Sequence, residues 1–143
     1  MFDVSLVKAK ASFFDRAQIN KLLDPRERKY LARAGALTRS IMKRSIRKSG
    51  KKRTRSLPGQ PPRSHTGLLK KHIYFWMDPG TRSVIVAPAS LKRAGEAAPD
   101  VLEFGGRVTY GWMKGKNIQA RPFVRPALEE AEKSFQRIWN TTA

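Results

Sequence analysis

The period of apolar and polar positions changes several times along this chain, and each change marks an element. Phe2, Val4 and Leu6 alternate with Asp3 and Ser5, the two-residue period of a half-buried strand. Residues 12–23 read as a short helix with Phe13, Phe14, Ala17 and Leu22 as its apolar positions. Asp24, Pro25 and Glu27 then have the spacing of a helix start: a capping side chain, a proline at the first helical position and an acid three residues after the cap. Leu31, Ala34, Thr38, Ile41 and Ser45 follow at steps of three and four, with Tyr30, Leu37 and Met42 beside them. That spacing predicts one buried stripe on a helix over 25–48. Gly35 within the stripe costs about 1 kcal/mol relative to Ala, so a close packing contact is expected there.

From 49 to 66 the periodicity vanishes. Gly50, Pro58, Gly59, Pro61 and Pro62 interrupt it, and Leu57 is the one large apolar residue, so a flexible loop is expected. Two apolar runs come next, HIYFWM at 72–77 and SVIVAP at 83–88, around Asp78-Pro79-Gly80-Thr81. They predict an antiparallel hairpin, with Pro88 at a strand end or edge. A short helix over 98–104 is stopped by Gly105 and Gly106, and 105–120 reads as a loop with extended structure around 108–112. The final helix begins near 123 or 126 and runs to 140, with Ala127, Leu128, Ala131, Phe135, Ile138 and Trp139 apolar and Glu129, Glu130 and Glu132 in its first turns. There is no internal repeat. The pattern predicts an α+β fold: a long N-terminal helix and a C-terminal helix packed on a small antiparallel sheet, with a long basic loop. One domain over 1–143 is expected, with the flexible basic loop at about 49–66.

Charge changes this picture more than composition does. The net charge is +19, and residues 28–77 hold 15 Lys or Arg and no Asp or Glu. Nine of these cations fall between Arg39 and Arg55, without the acids that normally intersperse a solvated face. Such a block repels itself unless a polyanion or an acidic protein surface lies beside it. The contact candidates are Arg39, Lys43, Arg44, Arg47, Lys48, Lys51, Lys52, Arg53, Arg55 and Arg63. No aromatic residue interrupts 36–64, so a nucleic-acid contact there would be to the backbone and blind to sequence. The first ten residues lack the basic-then-apolar pattern of a secretory signal, and no apolar run nears the roughly 18–20 residues of a membrane span, so a soluble protein is expected.

Candidate chemistry is sparse. The chain has no cysteine, which excludes disulfides, thiolate metal sites and cysteine nucleophiles. His65 sits in the basic loop and His72 on the expected strand, neither near an acid in sequence, so structural or solvated roles are expected for both. Asp100 with Glu103 would be the start of a metal-dependent nuclease site, but no positioned lysine accompanies them. No phosphate-binding or dinucleotide motif is present. No enzyme and no cofactor are expected. Tyr74, Phe75, Trp76, Trp112, Phe123, Phe135 and Trp139 are expected in the core or a subunit interface.

Three motifs, in order, carry a resemblance. Thr66-Gly67-Leu68-Leu69-Lys70-Lys71-His72-Ile73 is a TGxLxxxI pattern entering a strand; Val101-Leu102-Glu103-Phe104-Gly105-Gly106 holds LEFG; Ala120-Arg121-Pro122-Phe123-Val124-Arg125-Pro126-Ala127-Leu128 is ARPFxxPAL. With the preceding basic helix and the loop LPGQPPRSHTG, the ordered set resembles the tailed-phage tail-completion or head–tail joining proteins, also described as neck or minor tail components. That family commonly carries Thr after LEFG, where this chain has Gly106 and Arg107. The resemblance implies a non-enzymatic virion protein of the neck or tail, assembled in the bacterial host cytoplasm. It implies a homo-oligomeric ring, hexameric first and dodecameric second, between portal-side connectors and the tail tube, around the DNA channel. It also implies structural or interface roles for Gly67, Leu68, Leu102, Glu103, Phe104, Gly105, Arg121, Pro122, Phe123, Arg125 and Pro126. Glu103 is an isolated acid that is expected to pair with Arg121 or Arg125, within or between subunits. A free, sequence-blind nucleic-acid-binding protein using the same basic helix and loop is the alternative.

Overall fold

The computed structural model describes residues 21, 23–50, 54–89, 98–108 and 113–142. The strand expected at 2–6, nearly all of the helix expected at 12–23, and Lys51, Lys52, Arg53 and Trp112 lie outside the described residues.

Helix α1, Pro25–Ser45, begins as its sequence dictates: the Arg26 N–H donates to the Asp24 carboxylate at 2.8 Å, and Pro25 occupies the first helical position. Ala34, Gly35, Thr38 and Met42 are its buried residues. The Thr38 hydroxyl donates to the Ala34 carbonyl at 2.9 Å, so this polar group enters the core satisfied. A Cβ on Gly35 would stand 2.6 Å from Phe75 Cδ2 and 2.7 Å from Val84 Cγ2. That contact explains a glycine in mid-helix.

The helix ends three residues earlier than the expected 48. Ile46 turns extended and is fully buried, and Arg47–Lys48 (β1) pairs in parallel with Arg63–Ser64 (β2), Arg47 opposite Arg63 and Lys48 opposite Ser64. The ladder takes over backbone groups that another helical turn would have bonded. Backbone hydrogen bonds join the described part of the basic loop to the rest of the fold. Ser49 N–H donates to Ser64 C=O at 3.0 Å, Gly59 N–H to Ala120 C=O at 2.9 Å, and Ser56 and Ser64 are buried.

Gly67, at φ 77°, opens the short helix α2, Leu68–Lys71. The hairpin follows as expected: β3, Ile73–Asp78, pairs antiparallel with β4, Ser83–Pro88, from Ile73 opposite Pro88 to Asp78 opposite Ser83. Asp78 organises the turn by accepting from Gly80 N–H at 3.0 Å and from the Thr81 hydroxyl at 2.9 Å. Phe75 and Val84 face α1; Tyr74 and Trp76 pack with Ala87 on the opposite face.

Helix α3, Ala98–Phe104, is closed by Gly105 at φ 74°. Extended structure appears at Gly106–Arg107 (β5), paired antiparallel with Asn117–Ile118 (β6); of the extended stretch expected around 108–112, residues 109–112 lie outside the described residues. The expected terminal helix is two helices, α4 (Arg125–Glu132) and α5 (Phe135–Asn140). The break at Lys133 and Ser134 lets α5 bend onto the start of α1. There Trp139 meets the Tyr30 ring edge to face at 5.0 Å, and Arg33 donates to the Thr141 carbonyl at 3.2 Å. Core residues Met42, Ile46, Ile73, Phe123 and Ala127 join α1, β3 and α4, with Leu69, Val86, Leu102 and Val124 packed around them. The architecture is α+β, with the long N-terminal helix and the C-terminal helices around small sheets. Among the described residues no helix is long and apolar enough to cross a membrane.

Candidate polyanion interface

The contact candidates divide into groups. Arg39 and Lys43 stand one turn apart on α1, and α2 packs alongside and adds Lys70. Arg39 Nε donates to the Ile73 carbonyl at 2.7 Å, which pins the guanidinium where α1 meets the start of β3. Burial first, then the charges of Arg39 and Lys70, push the Lys43 ammonium below the ordinary lysine value. Arg47 and Arg63 are neighbours across the β1–β2 ladder, two like charges in one register. Arg63 is steadied by a hydrogen bond to the Thr54 hydroxyl at 2.7 Å. Lys48 and Arg55 are exposed. Arg44 belongs elsewhere: it lies toward α4, where its charge adds to the hydrogen bond and charge of Lys133 in holding the Glu130 carboxyl below its usual range.

Three ion pairs form among the described residues: Arg82–Glu27 at 3.6 Å, Arg125–Glu129 at 3.4 Å and Lys133–Glu130 at 2.7 Å. None involves Arg39, Lys43, Arg47, Lys48, Arg55, Arg63 or Lys70. These seven cations are thus without an ion-pair partner among the described residues, and their free energy improves when anions approach them. Sequence reasoning misses Lys70 because it falls inside the TGxLxxxI motif. Its proximity to Lys43 depends on how α2 folds back on α1.

The other motif residues build a second feature. Within the chain, Glu103 does not pair with the side chains of Arg121 or Arg125. Its carboxylate accepts the backbone N–H groups of Phe123 at 2.8 Å, Val124 at 3.0 Å and Arg125 at 2.9 Å. Position Val124, just ahead of α4, supplies no capping side chain, so this remote carboxylate caps the helix and meets its positive end. Arg121 reaches the other way: its N–H donates to the Leu102 carbonyl at 2.6 Å and its Nε to the Ser56 carbonyl at 3.1 Å. Arg125 pairs with Glu129 instead. A Cβ on Gly105 would stand 3.0 Å from both Ala120 N and Ile118 O, so the LEFG glycine also permits a close backbone approach. Pro126 sits in the first turn of α4.

Beside this junction runs an apolar groove of about 1030 Å³, whose lining includes Leu31, Val84, Phe104, Leu128 and Phe135. Phe104 is 77% exposed and Leu128 42%.

The histidines and the acids of α3 do not converge on one another. His65 is exposed, and His72 caps α2 rather than lying on a strand, with its Nδ1 2.9 Å from the Leu68 carbonyl. Both carboxylate oxygens of Glu103 are occupied by backbone, so Glu103 is not free to join Asp100 around a metal ion. Among the described residues no group of three His, Cys, Asp or Glu is placed to hold one. No protein-family model matches the chain, and no curated protein or solved structure matches it either.

Proposed function

We propose that this chain is a structural subunit of a tailed-phage neck, one of a ring that joins or completes the tail at the head–tail interface around the DNA channel. The observation that carries the reading is the convergence of the three resemblance motifs. Leu69 and Ile73 of the first, Leu102 of the second, and Phe123, Val124 and Ala127 of the third belong to one hydrophobic cluster. Motifs scattered along the chain from Thr66 to Leu128 thus act as one structural signature, as expected of a scaffold rather than a reaction site. The charge supports it further. A subunit of +19 repels its copies, and a closed ring of such subunits requires counter-charge from DNA or from acidic neighbouring rings. The exposed Phe104 and Leu128 at the groove supply apolar surface of the kind that neighbouring copies bury.

Quantitative mass spectrometry of purified phage particles tests the reading. The chain is expected in the particles at the copy number of a single hexameric or dodecameric ring. Its absence, together with salt-sensitive nucleic-acid binding by the free chain, would reassign it as a free nucleic-acid-binding protein.

A further inference from the structure

We infer that Arg39, Lys43 and Lys70 form one binding site for a backbone phosphate of a nucleic acid. This deepens the cationic-face part of the proposed function and rests on it, but not on ring assembly. The free protein leaves these three cations unsatisfied. The Arg39 guanidinium uses Nε on the Ile73 carbonyl, and its two Nη groups have no protein partner among the described residues. Lys43 is half-buried one turn further along, in contact with no carboxylate among the described residues, and Lys70 approaches it from α2. Three cations from two packed elements lie near one another without an ion-pair partner among the described residues, one of them partly withdrawn from water. Desolvation and like-charge repulsion both oppose that arrangement in the free protein, and an oxyanion seated among the three removes both penalties.

The donor set matches a phosphodiester. A guanidinium whose Nε is already fixed presents its Nη pair as a planar fork, suited to two oxygens of one phosphate, and two ammonium groups add point charges without further geometric demand. A second pair of cations follows along the chain at the Arg47–Arg63 ladder, just past the end of α1. Two groups of cations with no aromatic residue across 36–64 suit contact with backbone phosphates and read no base.

The test is fluorescence anisotropy of the full chain with a labelled mixed-sequence DNA duplex over a range of salt. Wild type is compared with a double variant, Lys43→Met with Lys70→Met, which keeps the apolar stems and removes the charges. The slope of log affinity against log salt is expected to fall in magnitude by about 0.9 for each phosphate that the variant no longer neutralises. The melting temperature of the free double variant should hold or rise, because the substitutions relieve repulsion. That sign is opposite to the effect on binding, and a purely structural role would not produce it. An unchanged salt slope would overturn the site. So would displacement of the duplex by polyglutamate at lower charge concentration than by unlabelled DNA, which would make the partner an acidic protein. Either failure leaves the particle-content measurement untouched, so the two proposals fail separately.

Discussion

Replacing Glu103 with Ala is expected to cost about 3 kcal/mol of folding stability. One carboxylate accepts three backbone N–H groups at 2.8, 3.0 and 2.9 Å, and those of Phe123 and Val124 are partly buried. Water can replace the bond to the exposed Arg125 N–H. It cannot fully replace the other two, and hydrogen bonds to a charged acceptor are worth about 1.5–3 kcal/mol each before that discount. The N-terminus of α4 has no local side chain in reserve. The loss should appear as a fall of roughly 10 °C in melting temperature. Glu103→Gln keeps one acceptor oxygen but loses the charge and sets an amide against a backbone N–H, so about half the loss is expected. A Glu103→Ala variant that melts with the wild type would remove the carboxylate as the pin between α3 and α4.

Phe123→Ala is expected to cost about 3–5 kcal/mol, the range for emptying a fully buried aromatic site. Phe123 is 0% exposed and packs with Met42 and Ile46 from the end of α1, Ile73 from β3 and Ala127 from α4. These neighbours come from separate elements, so the cavity cannot close by the shift of one of them. Because the Phe123 N–H is also a Glu103 ligand, the two substitutions should not add. A chemical-denaturation cycle should find the double variant less destabilised than the sum of the singles by about 1 kcal/mol. Strict additivity would mean that the cap and the core act independently.

How far these features are legible in the sequence depends on how local their causes are. The start of α1 is readable because Asp24, Pro25 and Glu27 act within one turn. The hairpin is readable because Asp78 and Gly80 set the turn within three residues, and Gly35 announces its packing contact by the cost of placing glycine in a helix. The end of α1 is not readable, since what stops it is a parallel partner at Arg63–Ser64, across the basic loop. The break after α4 is hidden because an amphipathic stripe continues through Lys133 and Ser134, and no glycine or proline marks the bend onto Tyr30. Charge alone assigns Glu103 to arginine side chains. The overlooked signal is a helix start flanked by Pro122 and Pro126 with no Ser, Thr, Asp or Asn at 124: orphan N–H groups there require an acceptor from elsewhere. In the cationic face the signs are legible and the grouping is not. Sequence places Arg44 with Lys43, whereas the fold turns Arg44 toward Glu130 and brings in Lys70.

The most direct measurement of the central claim is electron cryomicroscopy of the intact phage particle, reconstructed at the head–tail junction. The expected result is a ring of this chain between the portal-side connectors and the tail tube, with Arg39, Lys43, Arg47, Arg63 and Lys70 facing DNA or an acidic neighbouring ring. A well-defined neck built without this chain, or a ring whose cationic face looks onto empty solvent, would contradict it.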